Sequence, residues 1–143
     1  MRVNGASVEV DGVEISSIKK GLLILLGIGK EDTREDVIKI AKKIPSIKIF
    51  KNDEQEFSAS VEDINGEVLV VSQFTLYGSL SKGRKPSFDA SAKREPAEGL
   101  YREFISELKS KGLTVKEGRF GAHMHLLIEN DGPVTFIIDT KNP

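Results

Sequence analysis

Three short stretches carry side chains that could do chemistry. The first is SQFTLYG, Ser72 to Gly78. The preceding VLVV is apolar throughout, as in a central strand buried on both faces. Ser72, Gln73 and Thr75 then set polar groups at its C-terminal end, and buried polar groups need partners. Either the strand leaves the core into solvent here, or a pocket lies at its end. In the second case Gln73 is a hydrogen-bonding arm and Thr75 a hydroxyl or turn former. The second stretch is KGRKPSF, where Lys82, Arg84 and Lys85 cluster beside Gly83 and Pro86. Such clusters are commonly solvated surface, and their chemical use is contact with phosphate. Phe88, in an otherwise polar loop, reads as an anchor to the core. The third is Gly132-Pro133, at the mouth of the β-branched run VTFIID. Proline offers no N–H to a sheet and fixes its own φ, while glycine opens angles closed to other residues. A cis bond between them is one way to turn two successive carbonyls to the same side.

The familiar catalytic sets are missing. His123 and His125 are spaced to face one side of a strand, which could bind a metal. Two ligands are too few for a catalytic zinc site, and the sequence suggests no third. Solvent-facing strand histidines and no metal are expected. Cysteine is absent, so disulfides and thiolate chemistry are excluded. There is no Gly-x-Ser-x-Gly elbow, phosphate-binding loop or dinucleotide fingerprint. No paired-carboxylate site stands out.

These residues must be held by elements readable from the pattern. ASVEV alternates like a half-buried strand, Asp11-Gly12 is a hairpin signal, and VEISSI is the return strand. GLLILLGI, Gly21 to Ile28, suits a strand buried on both faces. Asp32 with Glu35 resembles a capping box for a helix carrying Val37, Ile40, Ala41 and Ile44, which Pro45 stops. IKIF is a short strand, Asn65-Gly66 a turn, and EVLVVSQFTLYG one long strand from Glu67 to Gly78. Ser79 to Pro96 shows no sustained period, and aperiodic stretches of that length in compact domains are often functional. A second helix, roughly Ala97 to Lys111, carries Leu100, Tyr101, Phe104, Ile105 and Leu108, with Gly112 as its stop. LTVKEG, AHMHLLIE and VTFIID complete about seven or eight strands. The expected fold is a single α/β domain over residues 1–143, in three layers α/β/β, with mixed sheets and the two main helices on one face.

The 143 residues suffice for one real core, and 38% apolar with 30% charged residues is ordinary for a globular chain. No stretch approaches the ~20 apolar residues of a membrane span. The start MRVNGASVEV lacks the apolar segment of a signal peptide, and cysteine-free composition fits a reducing compartment, so a cytoplasmic location is expected. A net charge of −1 argues against a grip on long nucleic acid; any such contact would be local.

Taken together, VSQFTLYG, KGRKPSF, RFGAHM and NDGPVTFIID resemble, in this order and spacing, the D-aminoacyl-tRNA deacylases. ASVEVDG and GLLILLG match that family's opening strands, so the resemblance covers nearly the whole chain. It implies an enzyme that removes D-amino acids, and glycine mischarged on alanine tRNA, from the 3′ end of tRNA. It implies a homodimer without cofactor or required metal. The Gly132-Pro133 bond would be cis, and the pair would reach into the partner's active site with both carbonyls aimed at the substrate's α-ammonium. An L side chain would strike that clamp, a D side chain would project outward, and glycine would pass. SQFT places Ser72, Gln73, Phe74 and Thr75 in the catalytic site, with backbone N–H groups around Phe74 and Thr75 holding an oxyanion. The terminal 2′-hydroxyl of the tRNA would help activate water, leaving Thr75 a structural role. Phe120 and Met124 would line the adenine pocket, and Lys82, Arg84 and Lys85 would contact phosphates. Arg2 would fix the Gly-Pro orientation. Members of the family have several more residues before that arginine, so Arg2, beside the chain start, is expected to be less firmly held. His123 and His125 are not family pattern residues and receive no role. The alternatives are a non-catalytic module that binds RNA 3′ ends, and a hydrolase of another activated ester.

Overall fold

The computed structural model describes residues 1–143. Its strands are β1 (Arg2–Val10), β2 (Val13–Ile18), β3 (Gly21–Leu26), β4 (Glu67–Ser72), β5 (Thr114–Glu117) and β6 (His125–Asn130). Its helices are α1 (Arg34–Lys43) and α2 (Arg94–Ser110), with short 3-10 turns at Ile44–Ser46 and Phe74–Tyr77. β3, β4 and β5 run parallel, as strands joined through helical crossovers must. β1 is antiparallel to β2, to β6 and, over Arg2 and Val3, to β3.

The sheet folds back on itself because β3 and β4 are apolar on both faces. Leu22, Val68 and Val70 point one way and join Val37, Ala41, Phe104 and Leu108 of the helices. Leu23, Leu69 and Val71 point the other way and join Val3, Ala6, Val8 and Ile18 of β1 and β2. The result is the expected order of helices, central strands and second strand layer. Gly21 marks the tightest approach. A Cβ there would lie 1.8 Å from the Glu67 carbonyl oxygen, so only glycine lets β3 and β4 pair from their first residues.

Asp11 and Gly12, with φ of 51° and 78°, form the expected hairpin between β1 and β2. Helix α1 is capped one residue later than the sequence suggests: the Thr33 N–H donates to Asp36 Oδ2 at 2.9 Å. Asp32 is freed for another task. It accepts the Gly29 N–H at 2.7 Å and the Tyr77 hydroxyl at 3.2 Å, tying the chain after β3 to the turn after β4. Pro45 ends α1 by starting a 3-10 turn, not by breaking the chain direction. Helix α2 begins at Arg94, three residues before the expected Ala97, because Pro96 falls in the first turn where its missing N–H costs nothing.

The strand count is six, not seven or eight. IKIF contributes a single bridge, Phe50 to Ala59. VTFIID forms no strand. β1 already pairs on both edges, and the one hydrogen bond to the Val134 carbonyl, from the Arg2 N–H at 3.0 Å, does not propagate. Phe136 and Ile137 consequently stand 58% and 93% exposed. The long strand expected to Gly78 stops at Ser72. The Gln73 N–H still reaches the Leu26 carbonyl at 2.8 Å, after which Leu76 and Gly78 donate to the carbonyls of Gln73 and Thr75 and the backbone coils.

Candidate active site

The turn at Phe74–Tyr77 is the floor on which the site is built. It sits where β4 runs out of neighbours, since β3 ends beside Ser72 at Leu26. The Phe74 and Thr75 N–H groups precede the first hydrogen bond of the turn, whose first donor is Leu76. Neither finds an acceptor in the chain. Side chains close the corner: Gln73 Nε2 donates to Thr75 Oγ1. The Thr75 hydroxyl is therefore engaged by an amide, which is no base. On the far side of the turn, burial and then the Asp32 carboxylate push the Tyr77 phenol up to about 12, so Tyr77 stays a donor at neutral pH.

Beside this turn opens a cavity of about 610 Å³, lined among others by Ser72, Gln73, Phe74, Phe120 and Met124. Of the residues selected by sequence, these five meet at one place. Phe120 packs on Tyr101 with ring centroids 5.3 Å apart, and Tyr101 is fixed by its hydroxyl donating to the Val70 carbonyl at 3.1 Å. Burial holds the Tyr101 phenol well above its ordinary range. Met124 is positioned by the Arg119 N–H, 3.4 Å from its sulfur, and by the bareness of Gly118, where a Cβ would meet that sulfur at 2.7 Å. The two walls of the cavity are thus apolar and rigid, suited to a flat ring.

The loop after the turn is a hairpin closed by paired hydrogen bonds between Ser79 and Ser87, both 2.8 Å. Its exposed tip holds Lys82, Arg84 and Lys85. Phe88 at its base packs edge-on against Phe74, centroids 5.0 Å apart, and lines the cavity. Phe88 is thus an anchor to the exposed Phe74 and the cavity, not to the core as expected, and it holds the basic tip near the site but outside the cavity.

Gly132 and Pro133 lie elsewhere. Their peptide bond is cis, Gly132 has φ +131°, and both residues are exposed. They do not line the cavity beside Phe74. Arg2 holds their turn. Its Nε donates to the Asp131 carbonyl at 3.1 Å, its NH1 donates to the Ile49 carbonyl at 3.0 Å and to Glu56 Oε2 at 2.8 Å. Far from being loosely held beside the chain start, Arg2 is only 5% exposed. The Met1 ammonium secures that end by donating to the Leu23 carbonyl at 2.8 Å. Asn130, which sequence reasoning passed over, clamps the other side of the turn: its Oδ1 accepts the Val134 N–H at 2.9 Å and its Nδ2 donates to Thr135 Oγ1 at 3.0 Å.

His123 and His125 meet edge-on, with ring centroids 5.1 Å apart. Only His125 lies in a strand, and His123 lines the cavity. Lys93 and Arg94 line it too, and were missed because they fall at the end of the aperiodic stretch, where helix α2 begins earlier than its apolar pattern.

A family model described as D-Tyr-tRNA(Tyr) deacylase matches residues 1–139. A D-aminoacyl-tRNA deacylase of Persephonella marina is 55% identical over 140 residues, covering 98% of this chain and 95% of that protein. One of Thermodesulfovibrio yellowstonii is 51% identical, covering 98% and 96%. A solved structure described as c-Myc DNA Unwinding Element Binding Protein superposes with a TM-score of 0.91 at 41% identity, covering 97% of this chain and 95% of the other. Another, described as a probable eukaryotic D-amino acid tRNA deacylase, superposes with a TM-score of 0.77 at 18% identity over 92% of each chain, a likeness of fold.

Proposed function

The chain belongs to the D-Tyr-tRNA(Tyr) deacylase family of hydrolases, and from that premise we propose how residues 1–143, acting as one domain, cleave their substrate. The bond broken is the ester between a D-amino acid and the terminal adenosine of tRNA; water enters, and free amino acid and tRNA leave. The adenine lies against Phe120 and Met124, where stacking on an aromatic ring favours any base. The ester carbonyl comes to the Phe74 and Thr75 N–H groups, beside Ser72 and Gln73. As the carbonyl becomes tetrahedral, its oxygen gains charge that these donors stabilise; one such donor contributes about 10²–10³ in rate. An ester is already activated, so positioning and an oxyanion hole suffice without a nucleophilic residue. The observation that carries this reading is the pair of adjacent, unpartnered N–H groups in a turn whose first residue, Phe74, lines a largely apolar cavity.

Gly132 and Pro133 complete the cavity of a second copy of the chain. Their exposure, and their distance from the cavity of their own chain, support this exchange. So do Leu127 and Ile128 on β6, whose outer edge has no strand partner, and Phe136 and Ile137, all more than 40% exposed. The turn that carries the two carbonyls is pinned on either side, by Arg2 at the Asp131 and Val134 carbonyls and by Asn130 at the Val134 N–H, so the clamp does not yield: an L side chain is excluded, and glycine on alanine tRNA is accepted with the D-amino acids. The dimer works in the cytoplasm, where its tRNA substrate is charged; no helix is long and apolar enough to cross a membrane.

Release of labelled D-tyrosine or glycine from charged tRNA, with L-tyrosyl-tRNA as control, tests the proposal. Release from the first two and retention of the third is expected. Binding without release would make the chain an RNA 3′-end binder, and equal release of L-tyrosine would make it a hydrolase of activated esters without chiral choice.

Exchange of Gly132-Pro133 predicts complementation. Gln73→Ala and Gly132→Ala damage different halves of one composite site. Equal mixing and re-equilibration should restore up to roughly a quarter of wild-type activity, since half the dimers then carry one intact site of two. No recovery in mixtures shown to contain hybrid dimers would rule the exchange out.

The exposed tip predicts a salt effect. Replacing Lys82, Arg84 and Lys85 together by alanine should weaken tRNA binding and lower its salt slope by about 0.7 for each phosphate no longer neutralised. D-tyrosyl and glycyl substrates should suffer alike, because phosphates carry no chiral information. An unchanged slope in a filter-binding titration would return the tip to plain surface.

A further inference from the structure

Carboxylates are absent from the wall of the cavity beside Phe74. Its permanently charged groups are Lys93 and Arg94, adjacent residues at the start of α2. Neither takes part in an ion pair, although other basic residues of the helical layer do: Arg102 reaches Glu98 at 3.3 Å and Glu117 at 3.4 Å, and Arg34 reaches Glu103 at 3.5 Å. Neither side chain donates a hydrogen bond within the chain. Both are exposed, so the cavity opens to solvent beside two cations that no carboxylate of the chain pairs. The bias is specific to this cavity. A smaller one of about 240 Å³, across the Phe74–Tyr77 turn, is lined by Asp32, Asp36 and Asp139 and by no lysine or arginine.

Arg94 is also seated. Gly121, with φ +78°, presents bare backbone, and the Arg94 guanidinium lies where a Cβ would be, 2.7 Å from that position. The planar group rests on main chain and keeps its fork of donors free, the arrangement suited to an oxyanion with two acceptor oxygens.

We propose that Lys93 and Arg94 form the subsite for the phosphate on the 5′ side of the substrate's terminal adenosine. The inference rests on the deacylase reading above and deepens it. With adenine between Phe120 and Met124 and the ester at Phe74, the nucleotide's remaining polar end meets the only charged part of the wall. The tip at Lys82, Arg84 and Lys85 is then left for phosphates further along the acceptor strand. Recognition at Lys93 and Arg94 needs one nucleotide only, so it is testable apart from the rest of the tRNA.

The experiment compares two small substrates, 3′-O-(D-tyrosyl)adenosine and the same molecule carrying a 5′-phosphate. Wild type should prefer the phosphorylated form by about tenfold in kcat/KM at low salt, as a charge-assisted hydrogen bond warrants. The preference should shrink as salt rises. In Arg94→Gln and in Lys93→Gln the ratio should fall, and in the double variant approach one. Arg94→Lys, which keeps the charge but not the fork, should recover part of it. Circular dichroism checks that each variant is folded, and two independent substitutions keep the test open if one is not. No phosphate preference in wild type, or a ratio unmoved by both substitutions, would overturn the subsite while leaving the deacylase reading intact. Hydrolysis of neither small substrate nor D-tyrosyl-tRNA by wild type would overturn both.

Discussion

Gly132→Ala is expected to lower kcat/KM for D-tyrosyl-tRNA by about 10²-fold, the cost of misplacing a positioning group by roughly 1 Å. Gly132 has φ +131°, a region side chains with a Cβ rarely enter. A methyl group there would lie 2.7 Å from Val134 Cγ2, 3.0 Å from the Val134 nitrogen and 3.3 Å from an Arg2 guanidinium nitrogen. Backbone at such distances cannot give way alone. The Arg2 N–H holds the Val134 carbonyl at 3.0 Å, the Asp131 N–H holds the Arg2 carbonyl at 2.9 Å, and Asn130 holds the Val134 N–H. The alanine must therefore rotate the Gly132 and Pro133 carbonyls away from the direction in which the proposed composite site uses them. In the proposed exchange the same carbonyls exclude L side chains, so the ratio of D- to L-tyrosyl hydrolysis should fall as well as the rate. Global stability should suffer far less, by about 1–3 kcal/mol for a strained residue, since the turn is exposed and the two core clusters lie elsewhere. Single-turnover deacylation of both enantiomers, with a urea titration beside it, measures all three quantities. Wild-type rate and selectivity in the variant would remove Gly132 from the site.

That turn also shows what was legible in the sequence and what was not. The Gly-Pro pair could be singled out because it contradicts its surroundings: a strand-forming run behind two residues that resist a strand. The same rule found Ser72, Gln73 and Thr75, polar residues at the end of an apolar run. Periodicity placed β3, β4 and both helices, because apolar runs of that length have few other uses. It failed where a segment's propensity outran its neighbours. FTLY is strand-like by composition, yet it coils because β3 ends beside Ser72 and no ladder continues. VTFIID is β-branched and apolar, yet it forms no ladder with any strand of the chain, and Ile137 is almost fully exposed. A strand is a property of two segments, and one sequence reads each segment alone. Arg2 illustrates the same limit. Nearness to the chain start suggested a loose side chain, but the partners that bury it come from Ile49, Glu56 and Asp131, distant in sequence. Lys93, Arg94 and His123 joined the site for reasons of packing around the cavity that no local pattern carries.

The role of Thr75 separates two mechanisms, and the substrate change should have the larger effect. Thr75→Ala is expected to retain much of the wild-type rate, within about tenfold, the scale of one lost hydrogen bond. Replacing the terminal 2′-hydroxyl of D-tyrosyl-tRNA by hydrogen is expected to cost about 10² or more, the contribution of a positioned group that assists proton transfer. A hydroxyl nucleophile needs a base within hydrogen-bond reach. Thr75 has none: its Oγ1 accepts from Gln73 Nε2, and a carboxamide cannot take its proton. His123 is the one imidazole lining the cavity, so His123→Gln belongs in the same experiment. The N–H of Thr75, which an alanine keeps, is the atom the proposed oxyanion hole uses. Removing the hydroxyl also releases the Gln73 amide, which accounts for a moderate loss without a nucleophilic role. Single-turnover deacylation by wild type and Thr75→Ala, each with normal and 2′-deoxy termini, reads the outcome directly. A folded, tRNA-binding Thr75→Ala protein with no detectable chemistry would make the hydroxyl catalytic, whatever its partner.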